Sequence, residues 1–294
     1  MARHKYTLFA AVLIFSACTT ITPDLPPITD APTGVQHAGK VVWHDLLTHT
    51  PEASRKFYSE LFDWTFEEPG LEPGFGPPGS YMLIRHNGAL IGGMFDTTVI
   101  PDRGNISQWV TVVSVANIDD SVAAALAQGG EILTPPTSLA SRGAIAVLKD
   151  STGALVAVLQ SNSGDPVDHE PVENTFLWDE LWTGDVGKSS DFYTALAGYE
   201  SENRAVGNSG ATYHLLKSGG NPRVGIQPNP FGDVPPVWVN YLRVADPAGV
   251  TARVESLGGS IIVPAQARKN VGGNVAMIAG PSGAGIALQT WPLQ

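Results

Sequence analysis

Cysteine is almost missing from these 294 residues: the chain has one, Cys18. A lone thiol excludes an internal disulfide and any cluster of thiolate metal ligands. Positive charge is also scarce. There are 17 basic residues against 28 acidic ones, for a net charge of -11, and no basic run occurs beyond the extreme N-terminus. The body of the chain would therefore repel nucleic acid and anionic lipid. Histidines are few, and His37, His49, His86, His169 and His214 fall without metal-ligand spacing, so each reads as a surface or loop residue. No G-x-S-x-G is present, and no Ser, His and acid set suggests a hydrolase. Gly187-Lys188-Ser189 has the tail of a phosphate loop, but Trp182 stands where its earlier glycine is required. Gly280 to Gly285 reads as a turn between strands.

What is abundant is glycine, at 32, and proline, at 23, many of them at joints between short apolar runs. That distribution suits a sheet-rich fold with many turns. The N-terminus has its own grammar. Arg3, His4 and Lys5 precede an apolar stretch, Leu8 to Phe15, too short for a transmembrane helix. The ending Ile14-Phe15-Ser16-Ala17-Cys18 resembles a bacterial lipobox, with Phe15 in place of the usual leucine. The resemblance implies a signal peptide over 1–18, lipidation at Cys18 and a place in the cell envelope, on a periplasmic or outer-surface face. An ordinary cleaved secretory signal and an uncleaved anchor are the alternatives. Residues 19–36, TTITPDLPPITDAPTGVQ, lack apolar periodicity and read as a Pro/Thr-rich flexible tether able to hold the body several nanometres from a membrane.

The organising feature is an internal repeat. VVWHDLLTHTPEASRKFYSELFDW, Val41 to Trp64, returns about 135 residues later as FLWDELWTGDVGKSSDFYTALAGY, Phe176 to Tyr199. The copies pair Trp43 with Trp178, Asp45 with Glu180, and Phe57-Tyr58 with Phe192-Tyr193. Duplication and length together predict two domains, 37–162 and 174–294, joined by a polar linker at 163–173. In each repeat an alternating strand leads into a helix opened by Thr50-Pro51 or Asp185, followed by a hairpin over 81–85 and 89–95 or over 211–216 and 223–227. A second unit then follows in each half. Its strand, 108–115 or 237–244, precedes a helix opened by Asn117 or Asp246 and closed by Gly-Gly, and three short strands complete it. The prediction is an α+β protein of four βαβββ units in two pairs.

The ordered set, W-x-[DE]-L-x-T, a capped helix bearing Phe-Tyr, a hairpin, a strand and helix closed by Gly-Gly, and a last strand after D-S-T-G-A or G-P-S-G-A, resembles the vicinal oxygen chelate superfamily. That superfamily includes glyoxalase I, bleomycin-resistance proteins and extradiol dioxygenases. The resemblance covers about residues 40 to 292, and is nearer still to tandem glyoxalase-like bacterial proteins. It implies two domains with curled, concave mixed sheets and, in the superfamily's enzymes, a divalent metal held there by His, Gln or Glu. Carried over by register, the ligand positions fall on Trp43, Gly92, Val110 and Ala157, and again on Trp178, Val224, Val239 and Ala287. None can serve. His44 is one residue out of register and, by strand parity, points toward the helix layer. The expectation is a protein with no metal and no cofactor.

Parity also predicts which side chains face the cavities. Trp43, Asp45 and Leu47 meet Val110, Val112 and Ser114 in the first; Trp178, Glu180 and Trp182 meet Val239, Tyr241 and Arg243 in the second. The second set suits a mostly apolar ligand pocket with a few orienting polar groups. Asp45 and Glu180 are candidate catalytic bases, with Glu180 held ionised if Arg243 pairs with it; otherwise they bond neighbouring backbone while the tryptophans fill core. The favoured reading is a small aromatic or amphipathic ligand bound against Trp43 and Asp45 or against Trp178, Glu180, Trp182, Tyr241 and Arg243. An enzyme of the same superfamily and a structural envelope lipoprotein are the alternatives, and homodimer formation is left open.

Overall fold

The computed structural model describes residues 24–69, 79–100, 106–205, 212–232, 234–268 and 273–290. Cys18, the expected signal sequence and residues 19–23 of the expected tether lie outside them.

Strand β1 (Val41–Thr48) leads into helix α1 (Pro51–Phe62), where Pro51 supplies a preset helical φ and Glu52 sits in the first turn. Strands β2 (Thr65–Glu67), β3 (Tyr81–His86) and β4 (Ala89–Asp96) complete the first unit. The second unit comprises β5 (Gln108–Ser114), α2 (Ile118–Ala127), β6 (Glu131–Ser138), β7 (Gly143–Lys149) and β8 (Leu155–Ser161). Its helix is opened by Asn117, whose side chain accepts from the amides of Asp119 and Asp120. The plan repeats as β9 (Phe176–Thr183), α3 (Val186–Ala197), β10 (Glu200–Ala205), β11 (Thr212–Ser218) and β12 (Asn221–Pro228). It closes with β13 (Val237–Arg243), α4 (Pro247–Val254), β14 (Ser260–Ala267), β15 (Asn274–Ala279) and β16 (Gly285–Gln289). These are the four expected βαβββ units.

Each domain is one eight-stranded mixed sheet, in the order β2-β3-β4-β1-β5-β8-β7-β6 and its counterpart β10-β11-β12-β9-β13-β16-β15-β14. The duplicated opening strands sit at the centre. β1 runs parallel to β4 and antiparallel to β5, and β9 does the same with β12 and β13.

The helices do not serve their own sheets alone. One core joins Val113, Ile118, Val122 and Val158 of the first domain to Phe192, Tyr193, Leu196 and Trp238 of the second. The other joins Leu46, Phe57, Tyr58 and Trp64 to Leu242, Val254, Ile278 and Leu288. Unit two thus packs on unit three and unit one on unit four, so the convex faces share two cores and the concave faces look outward. The Phe-Tyr pair of the repeat lies in these cores: Trp109 Nε1 donates to Tyr58 at 3.3 Å and Trp238 Nε1 to Tyr193 at 2.9 Å.

Residues 24–36 depart from the expectation of a free tether. Leu25 and Ile28 are each 2 % exposed and belong to the core of the first concave face. Asp24 accepts from the Ser141 amide, Asp30 pairs with Arg85 at 2.7 Å, and the Gly34 amide donates to Ser163 O. Burial of two aliphatic side chains holds the segment down, at about 1.5–3 kcal/mol for each. The linker is also fastened, because Asp165 is fully buried and accepts from the Ser114 hydroxyl and the His37 amide.

Candidate functional site

Alternation along β1 sends Trp43 and Asp45 into the first concave face, and Asp45 Oδ1 accepts from Trp43 Nε1 at 2.9 Å and from the Tyr81 hydroxyl at 2.8 Å. Tyr81 in turn accepts from Arg142 Nη1 at 3.1 Å, and the Arg142 guanidinium lies 4.5 Å from the Trp43 ring centroid, within cation–π range. Burial pushes the Asp45 carboxyl above the usual aspartate range, against the nearby Arg142 charge and the hydrogen bonds from Tyr81 and Trp43. Leu25, Ile28 and Leu139 cover this cluster together with Leu83, Val110, Val112 and Leu159. The first concave face is filled by the chain itself.

The second concave face repeats the scaffold with a more polar set. Glu180 is 6 % exposed, and its Oε1 accepts from Trp182 Nε1 at 2.6 Å, Gln227 Nε2 at 2.5 Å and the Tyr241 hydroxyl at 3.2 Å. Trp178 Nε1 donates to the Tyr213 hydroxyl at 2.9 Å. Burial raises the Glu180 carboxyl above its ordinary value, opposed by bonds from Trp182, Tyr213 and Tyr241 and by the charge of Arg268. Burial likewise holds the Tyr241 and Tyr213 hydroxyls in the protonated, donor form. The apolar lining is Val239, Met277 and Ala287 with the half-buried Leu177, Trp178 and Val275. Phe231, 40 % exposed, stands against Trp182 with centroids 5.7 Å apart. Among the described residues, no segment like 24–30 joins this cluster.

Five of the six residues predicted for the second face are therefore together: Trp178, Glu180, Trp182, Val239 and Tyr241. Arg243 is not with them. A register shift between Tyr241 and Leu242 interrupts the pairing with β9, and the Arg243 guanidinium donates to Pro171 O and Glu170 of the linker instead. The cation bearing on Glu180 is Arg268, which also donates to Gln289 at 2.6 Å.

His44 lies on the opposite side of β1, as parity requires. It is buried between the domains, 2.8 Å from Asp179 Oδ1 and stacked on Phe176 at 3.6 Å. Asn240 Nδ2 donates to the same Asp179 oxygen at 2.6 Å and to Thr111 Oγ1 at 2.7 Å. Of the positions carried over for metal ligands, Trp43, Val110, Ala157, Val239 and Ala287 belong to the clusters of the two concave faces, with Trp178 packed against the second. Gly92 and Val224 do not: Val224 sits in the helix-layer core and a Cβ on Gly92 would meet His44 O. The concave positions on these strands are Gly93 and Gly225, where a Cβ would collide with the hydroxyls of Tyr81 and Tyr213. Tryptophan, valine, alanine and glycine do not fit a divalent metal, and among the described residues no three His, Cys, Asp or Glu side chains converge.

Tyr81, Arg142, Tyr213 and Gln227 were not expected at these sites. The tyrosines had a signal, since Tyr81-Met82-Leu83 and Tyr213-His214-Leu215 each begin twelve positions before the glycine they abut.

No family model matches this chain. It is 28 % identical over 242 residues to "Putative glyoxylase CFP32" of Mycobacterium bovis, covering 82 % of this chain and 91 % of that one. It is 27 % identical over 238 residues to the anthracycline biosynthesis protein DnrV of Streptomyces peucetius, covering 76 % and 83 %. Among solved structures, the Mn(II)-bound glyoxalase from Novosphingobium aromaticivorans shares the fold with a TM-score of 0.57 at 15 % identity, covering 88 % of this chain and 84 % of that one. A catechol 2,3-dioxygenase does so with a TM-score of 0.54 at 15 % identity, covering 87 % and 90 %.

Proposed function

We propose that this chain, which belongs to the vicinal oxygen chelate superfamily, binds a small aromatic or amphipathic molecule on its second concave face without a metal, as an exported protein anchored through a lipid on Cys18. The observation that carries the binding reading is the Glu180 cluster. A carboxyl group with three donors on one oxygen, beside the half-buried Trp178 and the exposed Phe231, offers one polar anchor within an aromatic surface. A relative named for anthracycline biosynthesis supports an aromatic ligand, since anthracyclines are fused-ring aromatic compounds. The reading of a metal-free site rests on the tryptophan, valine, alanine and glycine at the positions where ligands would stand.

The test is titration of purified protein with 1-naphthol, followed by tryptophan fluorescence and calorimetry, together with metal analysis. Trp178→Ala and Glu180→Ala are each expected to weaken binding about tenfold, the scale of one lost stacking contact or one lost hydrogen bond to a charged group. Unchanged affinity in both folded variants would refute the site. Stoichiometric Mn, Ni or Zn that supports glyoxalase turnover would replace binding with enzymatic chemistry.

The anchor is checked separately. Growth of a bacterial host expressing the full chain with a radiolabelled fatty acid should label the protein, and Cys18→Ser should abolish the label. A label that persists in the variant would remove the anchor from the proposal.

A further inference from the structure

Arg142 is 3 % exposed, and its three nitrogens have different fates. Nη1 donates to Tyr81, which itself donates to Asp45, so that side of the guanidinium faces the acid through a hydroxyl. The opposite edge, Nε and Nη2, is the one that receives a carboxylate side-on with two parallel bonds. Here Nε donates to Pro26 O at 2.9 Å, while Nη2 is buried without a partner. One backbone carbonyl half-satisfies an edge shaped for two oxygens. An unpaired buried donor on a charged group is costly, and a carboxylate would remove that cost.

The segment supplying the carbonyl also behaves as a stand-in for a ligand. It places Leu25 and Ile28 among Trp43, Leu83, Val110 and Val112, where an apolar ligand body would lie. It does not extend the sheet, because Pro26 and Pro27 have no N–H to pair. Its ties near Arg142 are few: the Leu25 amide reaches Leu139 O at only 3.3 Å, and the remaining bonds from Asp24 and Asp30 are exposed. A groove of about 540 Å³ runs along its flank, lined by Pro26, Asp30, Glu67, Leu83, Arg85 and Leu90.

We infer that the first concave face is a second binding site, for a small carboxylate with an apolar body, and that residues 24–30 are its built-in competitor. The carboxylate takes the Nε and Nη2 edge of Arg142, its apolar body replaces Leu25 and Ile28, and the Pro26 carbonyl is displaced. The site is independent of the Glu180 cluster and stands or falls apart from it.

The test measures hexanoate and 1-hexanol binding by calorimetry to the full chain, to Leu25→Ser/Ile28→Ser, and to the same double variant carrying Arg142→Gln. Loosening the segment should tighten hexanoate at least about tenfold and leave it bound about tenfold tighter than hexanol, and Arg142→Gln should abolish hexanoate's advantage over hexanol. Asp24→Ala/Asp30→Ala, which cuts only exposed ties, should give a smaller gain of about threefold and keeps the test available if the double variant misfolds. Equal hexanoate affinity in the parent and in both folded segment variants would overturn the inference. So would hexanoate binding no tighter than hexanol to the loosened variant, or an advantage for hexanoate that survives Arg142→Gln.

Discussion

Asp179→Ala is expected to cost about 3 kcal/mol of folding stability, the range found when one member of a buried polar pair is removed and its partners are left behind. Asp179 and His44 are each 6 % exposed at the seam between the two sheets. One oxygen of Asp179 serves both His44 and Asn240, one partner on the first domain's central strand and one on the second's. Removing the carboxylate takes a partner from two buried groups, leaving Asn240 with Thr111 alone, and His44 cannot turn away because Phe176 is stacked on it. The two shared cores make the halves mutually dependent, so urea unfolding should remain one transition displaced to lower denaturant. Asp191→Ala, an exposed change on α3, should stay within about 0.5 kcal/mol. A loss below about 1 kcal/mol in Asp179→Ala would show that this buried pair adds little to the seam.

His44 also shows how far strand parity reaches. Alternation along β1 was enough to assign Trp43 and Asp45 to one face and His44 to the other, because a central strand buried on both sides cannot slip by a residue without inverting every side chain. The same rule failed for Arg243, where the irregular pairing after Tyr241 frees the end of β13 to meet the linker. It also misplaced Gly92 by one position, since counting along a hairpin does not reveal the bulge between Ile84 and Arg85. Arg142 was illegible for a different reason. It precedes β7, outside both repeated stretches, and it meets Tyr81, Trp43 and the Pro26 carbonyl only once the chain is folded. Proline and threonine composition signals the absence of regular structure, which is true of that segment, but composition carries no information about whether an irregular chain packs.

Glu180→Gln should separate a binding carboxyl from a catalytic one. Burial raises the folded-state value of Glu180 above the ordinary glutamate value of about 4.3, and the donors around it offset this only in part. The sign follows from linkage. Below the unfolded-state value both states hold the proton, and the favourable contribution of the neutral, hydrogen-bonded acid is fully present. As pH rises the unfolded chain releases its proton first, and the contribution is progressively lost through the folded-state value. Asp45 acts in the same direction. Glutamine keeps a carbonyl oxygen for Trp182 and Tyr241 but has no proton to lose. Glu180→Gln should therefore be more stable than the parent at pH 8, with an advantage that shrinks to nothing near pH 4, measured as the difference between two urea midpoint profiles. A difference that is flat with pH would mean that Glu180 ionises as readily in the folded protein as in the unfolded chain. If Glu180 only anchors a ligand, the glutamine variant should also keep 1-naphthol affinity within about threefold of the parent while Glu180→Ala loses about tenfold, because an acceptor remains in place. A base that takes a proton from a substrate has no such substitute. Any turnover by the parent that vanishes in Glu180→Gln while affinity persists would make this chain a catalyst rather than a binding protein.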